Sequence, residues 1–332
     1  MRVLGIETSC DETAAAWLVD GAVVRNVISS QVALHAQWGG IVPEAAARAH
    51  VEAILPVLSE AMGEAIGEDG PPDGIAVTNR PGLVGALSVG VSAAKALATL
   101  WRVPLVGVHH IEGHILSPFA AGEPQPPFPH LCLVVSGGHT ELVRVDAPGQ
   151  YRILAETVDD AAGEAFDKGA RLLGLGYPGG RALQELARNG DAKRYALPRA
   201  LPGDGAKFSF SGLKTAMRLL VDREGEALSR ADAAASLQAA IVDALVRKAL
   251  RALDEEGLKA MTLVGGVAAN ESLRETLRAA CERVGAEFFT PPFDRCTDNA
   301  AMIAIAGSFR LARGMADDLS LDVMPNADLS AY

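Results

Sequence analysis

The sequence predicts a duplicated α/β fold, two similar lobes each built on a mixed sheet with helices on its faces, enclosing an interlobe cleft. Three observations predict it. A three-strand antiparallel pattern opens the chain at Arg2 and returns at His130. Each copy is followed by the same order of strand, glycine turn, helix, strand, polar loop and helix. The chain has 332 residues, more than one ordinary domain, with 49% hydrophobic and 21% charged residues, which is enough to bury two cores and too apolar for a disordered or fibrous protein.

The first copy begins with the buried run Arg2 to Glu7, then Thr13 to Leu18, a turn at Asp20-Gly21, and Val23 to Ile28. The second begins with His130 to Val135, the turn Ser136-Gly137-Gly138-His139, then Thr140 to Val145, a turn at Pro148-Gly149, and Tyr151 to Ala155. Downstream in the first copy, Gly74 to Thr78 is a short apolar strand that runs into Pro81-Gly82-Leu83-Val84-Gly85 and a helix to about Leu100. A strand over Pro104 to Val108 and a further helix follow. Downstream in the second copy, Met261 to Gly265 leads into Gly266 to Asn270, a helix to about Val284, a strand over Ala286 to Phe289 and a helix from about Asp298 to Ala312. Parallel strands need helical crossovers, so each sheet is mixed. The boundaries expected are an N-terminal lobe over 1–117, with 300–332 packing back on it, and a C-terminal lobe over 118–299 with an insertion at about 156–230.

Composition excludes several classes. No run of about 18 apolar residues is read in the chain, and Glu7 interrupts the apolar N-terminus where a signal peptide needs its hydrophobic stretch, so a cytoplasmic protein without a membrane span is expected. The four cysteines, Cys10, Cys132, Cys281 and Cys296, form no C-x-x-C pair, which fits a reducing compartment and argues against a thiolate zinc site. The net charge of −11 speaks against a general nucleic-acid coat. That charge is segregated, however. From Arg188 to Arg218 seven cations face Asp191 and Asp204, so this stretch carries 7 − 2 = +5. It is either a polyanion-facing surface or a solvated loop with incidental charge.

Four patterns carry chemistry. Ser136-Gly137-Gly138-His139-Thr140 follows a buried strand, and is either an ordinary hairpin turn or a nest of backbone N–H groups for an anion. Gly265 to Asn270 ends a strand and opens a helix; it is a strand-to-helix turn, or a place where backbone approaches a nucleoside while the Asn270 amide meets its polar edge. Asp167, within Asp160 to Lys168, is a solvated carboxylate or a ligand for a ribose or threonine hydroxyl. His110-Ile111-Glu112-Gly113-His114 is either a pair of exposed helix histidines or two imidazoles on one helical face within reach of one metal. Ile111 stands where a zincin needs glutamate, so a metalloprotease is not expected. At the matching junction of the other copy lies Asp298, expected to point across the cleft at both histidines. Two histidines and a carboxylate with open positions suit Fe(II) or Zn(II).

The chain resembles the fold shared by actin, sugar kinases and heat-shock chaperone ATPases, the ribonuclease H-like superfold. More closely, it resembles the bacterial tRNA adenosine threonylcarbamoyltransferase family, once described as O-sialoglycoprotein endopeptidases. The likeness runs through Gly5 to Thr13, Gly39 to Glu44, Pro81-Gly82-Leu83, His110 to His114, Val135 to Thr140, Asp159 to Lys168, Phe208 to Ala216, Gly265 to Asn270 and Cys296 to Gly307. Two positions depart from the pattern: Ala47, where serine is expected, and Arg80, in place of the first glycine of a Gly-Pro-Gly-Leu turn.

The resemblance implies transfer of threonylcarbamoyl from threonylcarbamoyl-AMP to the exocyclic amine of the adenosine 3′ of the anticodon, in tRNAs reading ANN codons, with release of AMP. It implies that Val134, Val135, Ser136, Gly137, Gly138, Asp167, Gly180 and Asn270 bind the adenylate or ATP, ADP or AMP. His110, His114 and Asp298 would hold one divalent metal, Fe(II) ahead of Zn(II), and Asp11, Glu12 or His139 would take the amine's proton. Expected partners are tRNA, an inactive paralogue of TsaB type and a small ATPase of TsaE type. Rival readings are a small-molecule kinase or carbamoyltransferase of the same superfold, which would turn over without tRNA, and a nucleotide-gated interaction protein without chemistry.

Overall fold

The computed structural model describes residues 1–63, 70–199 and 207–329, and the chain divides into two compact units. Unit 1 comprises Met1–Gln125, Pro148–Gln150 and the segment from Asp298 onward; unit 2 comprises Pro126–Ala147 and Tyr151–Thr297.

In unit 1, β1 (Arg2–Glu7), β2 (Glu12–Val19), β3 (Ala22–Ser30), β4 (Gly74–Arg80) and β5 (Leu105–His109) form one sheet in the order β3-β2-β1-β4-β5. β1 is antiparallel to β2 and parallel to β4. The β2–β3 turn has Asp20 and Gly21 at φ 50° and 81°, the left-handed pair that a two-residue hairpin needs and that Asp-Gly supplies.

Because side chains alternate along a strand, the two faces separate by residue. Leu4, Ile6, Ala15 and Trp17 share a core with Ile54, Val57 and Leu58 of α2 (Pro43–Met62) and Val91, Ala94 and Ala98 of α3 (Val84–Trp101). Trp17→Ala empties the largest side chain from this layer and is expected to cost about 3–5 kcal/mol, read as a lowered urea midpoint.

Gly5, Ala14 and Ala16 face α10 (Ala300–Ala312), which packs on β1, β2 and β4. The approach is close: a Cβ on Gly5 would lie 2.4 Å from the Ala300 carbonyl oxygen. Two short helices, α1 (Val32–His35) and α4 (His110–Leu116), and a 3-10 helix over Ser117–Phe119 complete the described elements of the unit.

Helix α3 bears on the expectation of no membrane span. With 18 residues and mean hydropathy 1.4 it is long and apolar enough to cross a membrane by those criteria alone, although Ser88, Ser92, Lys95 and Thr99 interrupt it. One face is spent on the sheet and on α2: Leu87, Val91 and Ala94 are buried, and a Cβ on Gly90 would meet Thr8 Oγ1 at 2.4 Å.

In unit 2, β6 (His130–Val135), β7 (Thr140–Ala147), β8 (Gln150–Thr157), β9 (Lys207–Phe208), β10 (Ala260–Val264) and β11 (Glu287–Phe289) form a sheet in the order β11-β10-β6-β7-β8-β9. Read from β8 to β11, the order and the parallel or antiparallel sense match those of unit 1 wherever both are described, which is the duplication seen as topology. β9 is the extra edge strand.

Helices α5 (Ala162–Leu172), α6 (Gly180–Ala187), α7 (Ser211–Glu224), α8 (Arg230–Glu255) and α9 (Glu271–Arg283) build its core with β6 and β10. In α8, Ser229 caps the N-terminus through its side chain, and Ala234, Leu237, Ile241, Leu245 and Leu253 give the buried helical stripe.

Candidate functional site

In unit 1 the chain leaves β5 directly into α4, so His110 and His114 stand one helical turn apart at the carboxyl end of a parallel strand. Gly113, between them, lies against α10: a Cβ there would meet Ile303 Cδ1 at 2.7 Å. Asp298 stands just before α10. The structure brings all three side chains together. The His114 Nε2 donates to Asp298 Oδ1 at 3.0 Å, His110 Nε2 is 3.5 Å from the same oxygen, and one ligand atom from each lies within 4.8 Å of the others.

The expectation that Asp298 reaches over from the second lobe is corrected. Asp298 belongs to unit 1 with both histidines, because the apolar helix it precedes is packed on the sheet of that unit.

Two residues the sequence reading did not assign complete the cluster. Glu7, at the end of β1 and 1% exposed, accepts from Ser9 N at 2.5 Å and Thr78 Oγ1 at 2.6 Å, and its Oε2 is 3.1 Å from His110 Nδ1. Ser9 Oγ lies 3.1 Å from the same nitrogen. With Nδ1 so engaged, Nε2 is left to face Asp298, the arrangement in which a carboxylate orients a ligating imidazole.

Burial opposes charge on His110, yet Asp298 and Glu7 outweigh it and hold the ring protonated well above its usual range. Burial also opposes charge on Asp298 and Glu7, and the His110 ring outweighs it in both. Glu12 is pushed up to about 10 by burial, then by the charges of Asp298 and Asp11. A carboxyl held neutral in this way cannot take a proton near pH 7, which weakens Glu12 as a base for as long as the charge of Asp298 is uncompensated. Uncompensated negative charge beside two imidazoles is what a divalent cation relieves. Two ligands at about 2.0–2.1 Å on a tetrahedral ion lie roughly 3.3 Å apart; the imidazole–carboxylate pairs at 3.0 and 3.5 Å match that spacing, and the set as a whole, within 4.8 Å, could close on an ion with a small shift of the rings. Glu7→Gln removes the charge that orients His110 while keeping its shape; metal affinity measured by competition with a chelating dye is expected to fall about 10–100-fold.

In unit 2, β6 ends at Val135 and the chain turns through Ser136–His139. Ser136 N donates to the His139 carbonyl at 2.9 Å, and His139 N donates to Ser136 Oγ at 3.0 Å, so the hydroxyl closes the turn. Gly137 and Gly138 are exposed, and a Cβ on either would meet nothing within 4 Å. Two other glycines exist for close approach. A Cβ on Gly163 would lie 2.4 Å from Ser136 O, letting the N-terminus of α5 reach the turn, where Gly163 N donates to Ser136 O at 3.2 Å. Gly265, at φ 90°, would place a Cβ 2.5 Å from Val135 O. The ends of β6 and β10 are thereby held together.

Several of the expected binding positions make contacts of their own within the unit. Val134 and Val135 have wholly buried side chains in β6, so the strand offers a ligand its carboxyl end and no side chain. The Asn270 amide is engaged inside the unit: Oδ1 caps α9 by accepting from Leu273 N at 2.9 Å, and Nδ2 donates to Gln238 Oε1 at 3.0 Å. Asp167 accepts from Gly179 N at 2.8 Å and Gly180 N at 3.1 Å, so it shapes that turn, and its burial raises its pKa.

The basic stretch is divided. Arg188 pairs with Glu185 and Glu271, at 3.1 and 2.7 Å, and Arg199 with Asp243 at 2.8 Å; Asp204 lies outside the described residues.

The family model of TsaD, tRNA N6-adenosine threonylcarbamoyltransferase, matches residues 22–305. A protein of that name from Sorangium cellulosum is 52% identical over 339 residues, covering 97% of this chain and 95% of its own length. One from Anaeromyxobacter dehalogenans is 54% identical over 319 residues, covering 94% and 95%. Among solved structures, HypF from T. kodakarensis superposes with a TM-score of 0.64 at 17% identity, over 94% of this chain and 48% of its own. Component A of the (R)-2-hydroxyglutaryl-CoA dehydratase of Acidaminococcus fermentans gives 0.53 at 18%, over 92% and 96%. At such identities these two establish the fold alone, the duplicated actin-like α/β architecture expected from the sequence. Matched over most of its length by one family model, and more than half identical to relatives that it spans almost end to end, the chain belongs to the tRNA N6-adenosine threonylcarbamoyltransferase family.

Proposed function

We propose that this protein transfers a threonylcarbamoyl group from threonylcarbamoyl-AMP to the exocyclic amine of the adenosine 3′ of the anticodon in tRNAs reading ANN codons, releasing AMP. The observation that carries the reading is one chain of this family holding both a His-His-Asp cluster whose ligand atoms lie within 4.8 Å of one another and an open glycine turn at the end of a buried strand. The donor is a mixed anhydride and already activated, so no enzyme nucleophile is needed. Orientation and charge stabilisation remain as the protein's tasks.

His110, His114 and Asp298 would hold the metal, Fe(II) ahead of Zn(II) on the facial two-histidine, one-carboxylate pattern. Such an ion supplies Lewis-acid polarisation when bound. Glu7 fixes His110 through Nδ1. The backbone N–H groups of Gly137 and Gly138 point the turn at the adenylate phosphate, and Asp167 holds the Gly179–Gly180 turn through two backbone N–H groups. Of Asp11, Glu12 and His139, we assign the amine's proton to His139, because it is carried on the Ser136–Thr140 turn itself. His139→Asn is then expected to lower kcat about 100-fold with little change in KM for the adenylate; an unchanged kcat would return the role to Asp11.

Partners belong to the same reading. The outer faces of α2 and α3 expose Val51, Leu55, Val84 and Leu100, at 53–71%. Unpartnered apolar helices of this kind suit the inactive paralogue, whose own lobes would offer a like pair. A small ATPase would complete the assembly, which would work in the cytoplasm with the tRNA.

The test is mass analysis of tRNA nucleosides from cells depleted of this protein. Threonylcarbamoyladenosine should disappear, return with the wild-type chain, and stay absent with His114→Ala. Its persistence in depleted cells would favour a small-molecule kinase or carbamoyltransferase, and rescue by the metal-ligand variant would favour an interaction protein without chemistry.

A further inference from the structure

Two of the seven cations in the basic stretch are held in ion pairs. Arg188 and Arg199 are neutralised by the ion pairs above, and Arg194 lies over the Tyr195 ring at 5.9 Å. Lys214 and Arg218 differ. They stand one turn apart on α7, both exposed, and no carboxylate among the described residues pairs with either. With Asp160, Leu172, Ser211 and Thr215 they wall a cavity of about 230 Å³. The acid in that wall is already neutralised, since Lys168 Nζ donates to Asp160 Oδ2 at 2.7 Å. What the cavity presents outward is therefore net positive charge in a protein whose total is −11.

Its position matters as much as its sign. Asp160 in the wall and Gly163 at the Ser136 carbonyl are three residues apart, so at most about 10 Å of chain separates the cavity from the glycine turn. That connection is fixed. Asp159 Oδ1 accepts from Phe210 N at 2.7 Å and Ser211 N at 3.2 Å, tying the start of α7 to the same loop, and Thr140 Oγ1 accepts from Ala162 N at 2.9 Å.

We propose that the cavity walled by Lys214 and Arg218 seats a phosphodiester of the RNA substrate, holding the acceptor strand one loop away from the turn that binds the donor. The inference rests on the RNA substrate of the proposed function, and charge complementarity selects the occupant: a backbone phosphate brings the charge that the two cations lack.

The full-length protein is titrated with a tRNA transcript by fluorescence anisotropy at several salt concentrations between about 50 and 200 mM. Lys214→Glu and Arg218→Glu are each expected to lower the slope of log affinity against log salt by roughly 0.7–0.9. Arg283→Glu, an equal change of charge at an exposed position on α9, should leave the slope alone. AMP affinity and melting temperature should be unchanged in all three. An unchanged slope in the first two variants would overturn the assignment and leave the cavity to an acidic protein segment; an equal fall in Arg283→Glu would overturn it in favour of net charge alone. Failure of the proposed function reads differently, as tRNA bound with the wild-type slope and no modified nucleoside formed.

Discussion

His110→Ala is expected to abolish metal binding and threonylcarbamoyl transfer together while leaving a folded protein. Losing an outer partner of a metal ligand costs about 10–100-fold in affinity, so losing the ligand should exceed about 100-fold. The fold should persist because Glu7, the buried carboxylate left behind, keeps Thr78 Oγ1 and Ser9 N as hydrogen-bond donors. The pH dependence has a definite sign. Below its raised pKa the His110 ring is protonated, and a protonated ring cannot ligate. Metal affinity should therefore fall as pH falls through the neutral range, and binding should release a proton. Calorimetry in buffers of different ionisation enthalpy reads both; a pH-independent affinity would mean that His110 is not a ligand.

Gly137→Val is the second large effect, and it should spare the fold as well. An added Cβ would meet no protein atom within 4 Å beyond its chain neighbours, and the position is exposed, so stability should stay within about 0.5 kcal/mol of wild type. The branched Cβ would stand where the adenylate phosphate has to approach the turn. Losing two charge-assisted hydrogen bonds costs about 3 kcal/mol or more, roughly 100-fold in AMP affinity by calorimetry. Gly265→Ala provides the contrast: φ 90° and Val135 O at 2.5 Å make it a folding defect first. Wild-type AMP affinity in folded Gly137→Val would put the phosphate elsewhere.

Much of this was legible in the sequence, and for identifiable reasons. The repeat could be read because strand alternation and the Asp20-Gly21 and Pro148-Gly149 turns are local signals, and local order carries the sheet order with it. The i,i+4 histidines could be read because a helix converts that spacing into a shared face. Glu7 and Ser9 could not, since they reach His110 across 103 and 101 residues and no spacing rule spans that distance. The position of Asn270 after Gly265 fits a ligand and an N-cap alike in the sequence, and the structure adds that the amide caps the helix. The basic stretch was counted as one surface because sequence shows charges without their partners. Asp243 and Glu271, which neutralise Arg199 and Arg188, lie far along the chain.

The most direct test of the account is transfer of labelled threonylcarbamoyl from threonylcarbamoyl-AMP to a tRNA transcript by the purified protein with its partner chains. The label should appear on the adenosine 3′ of the anticodon, disappear on chelation, and return with added Fe(II). It should be absent with either His110→Ala or Gly137→Val. Full transfer by either variant, or by chelated protein, would contradict the claim that these two clusters carry the reaction.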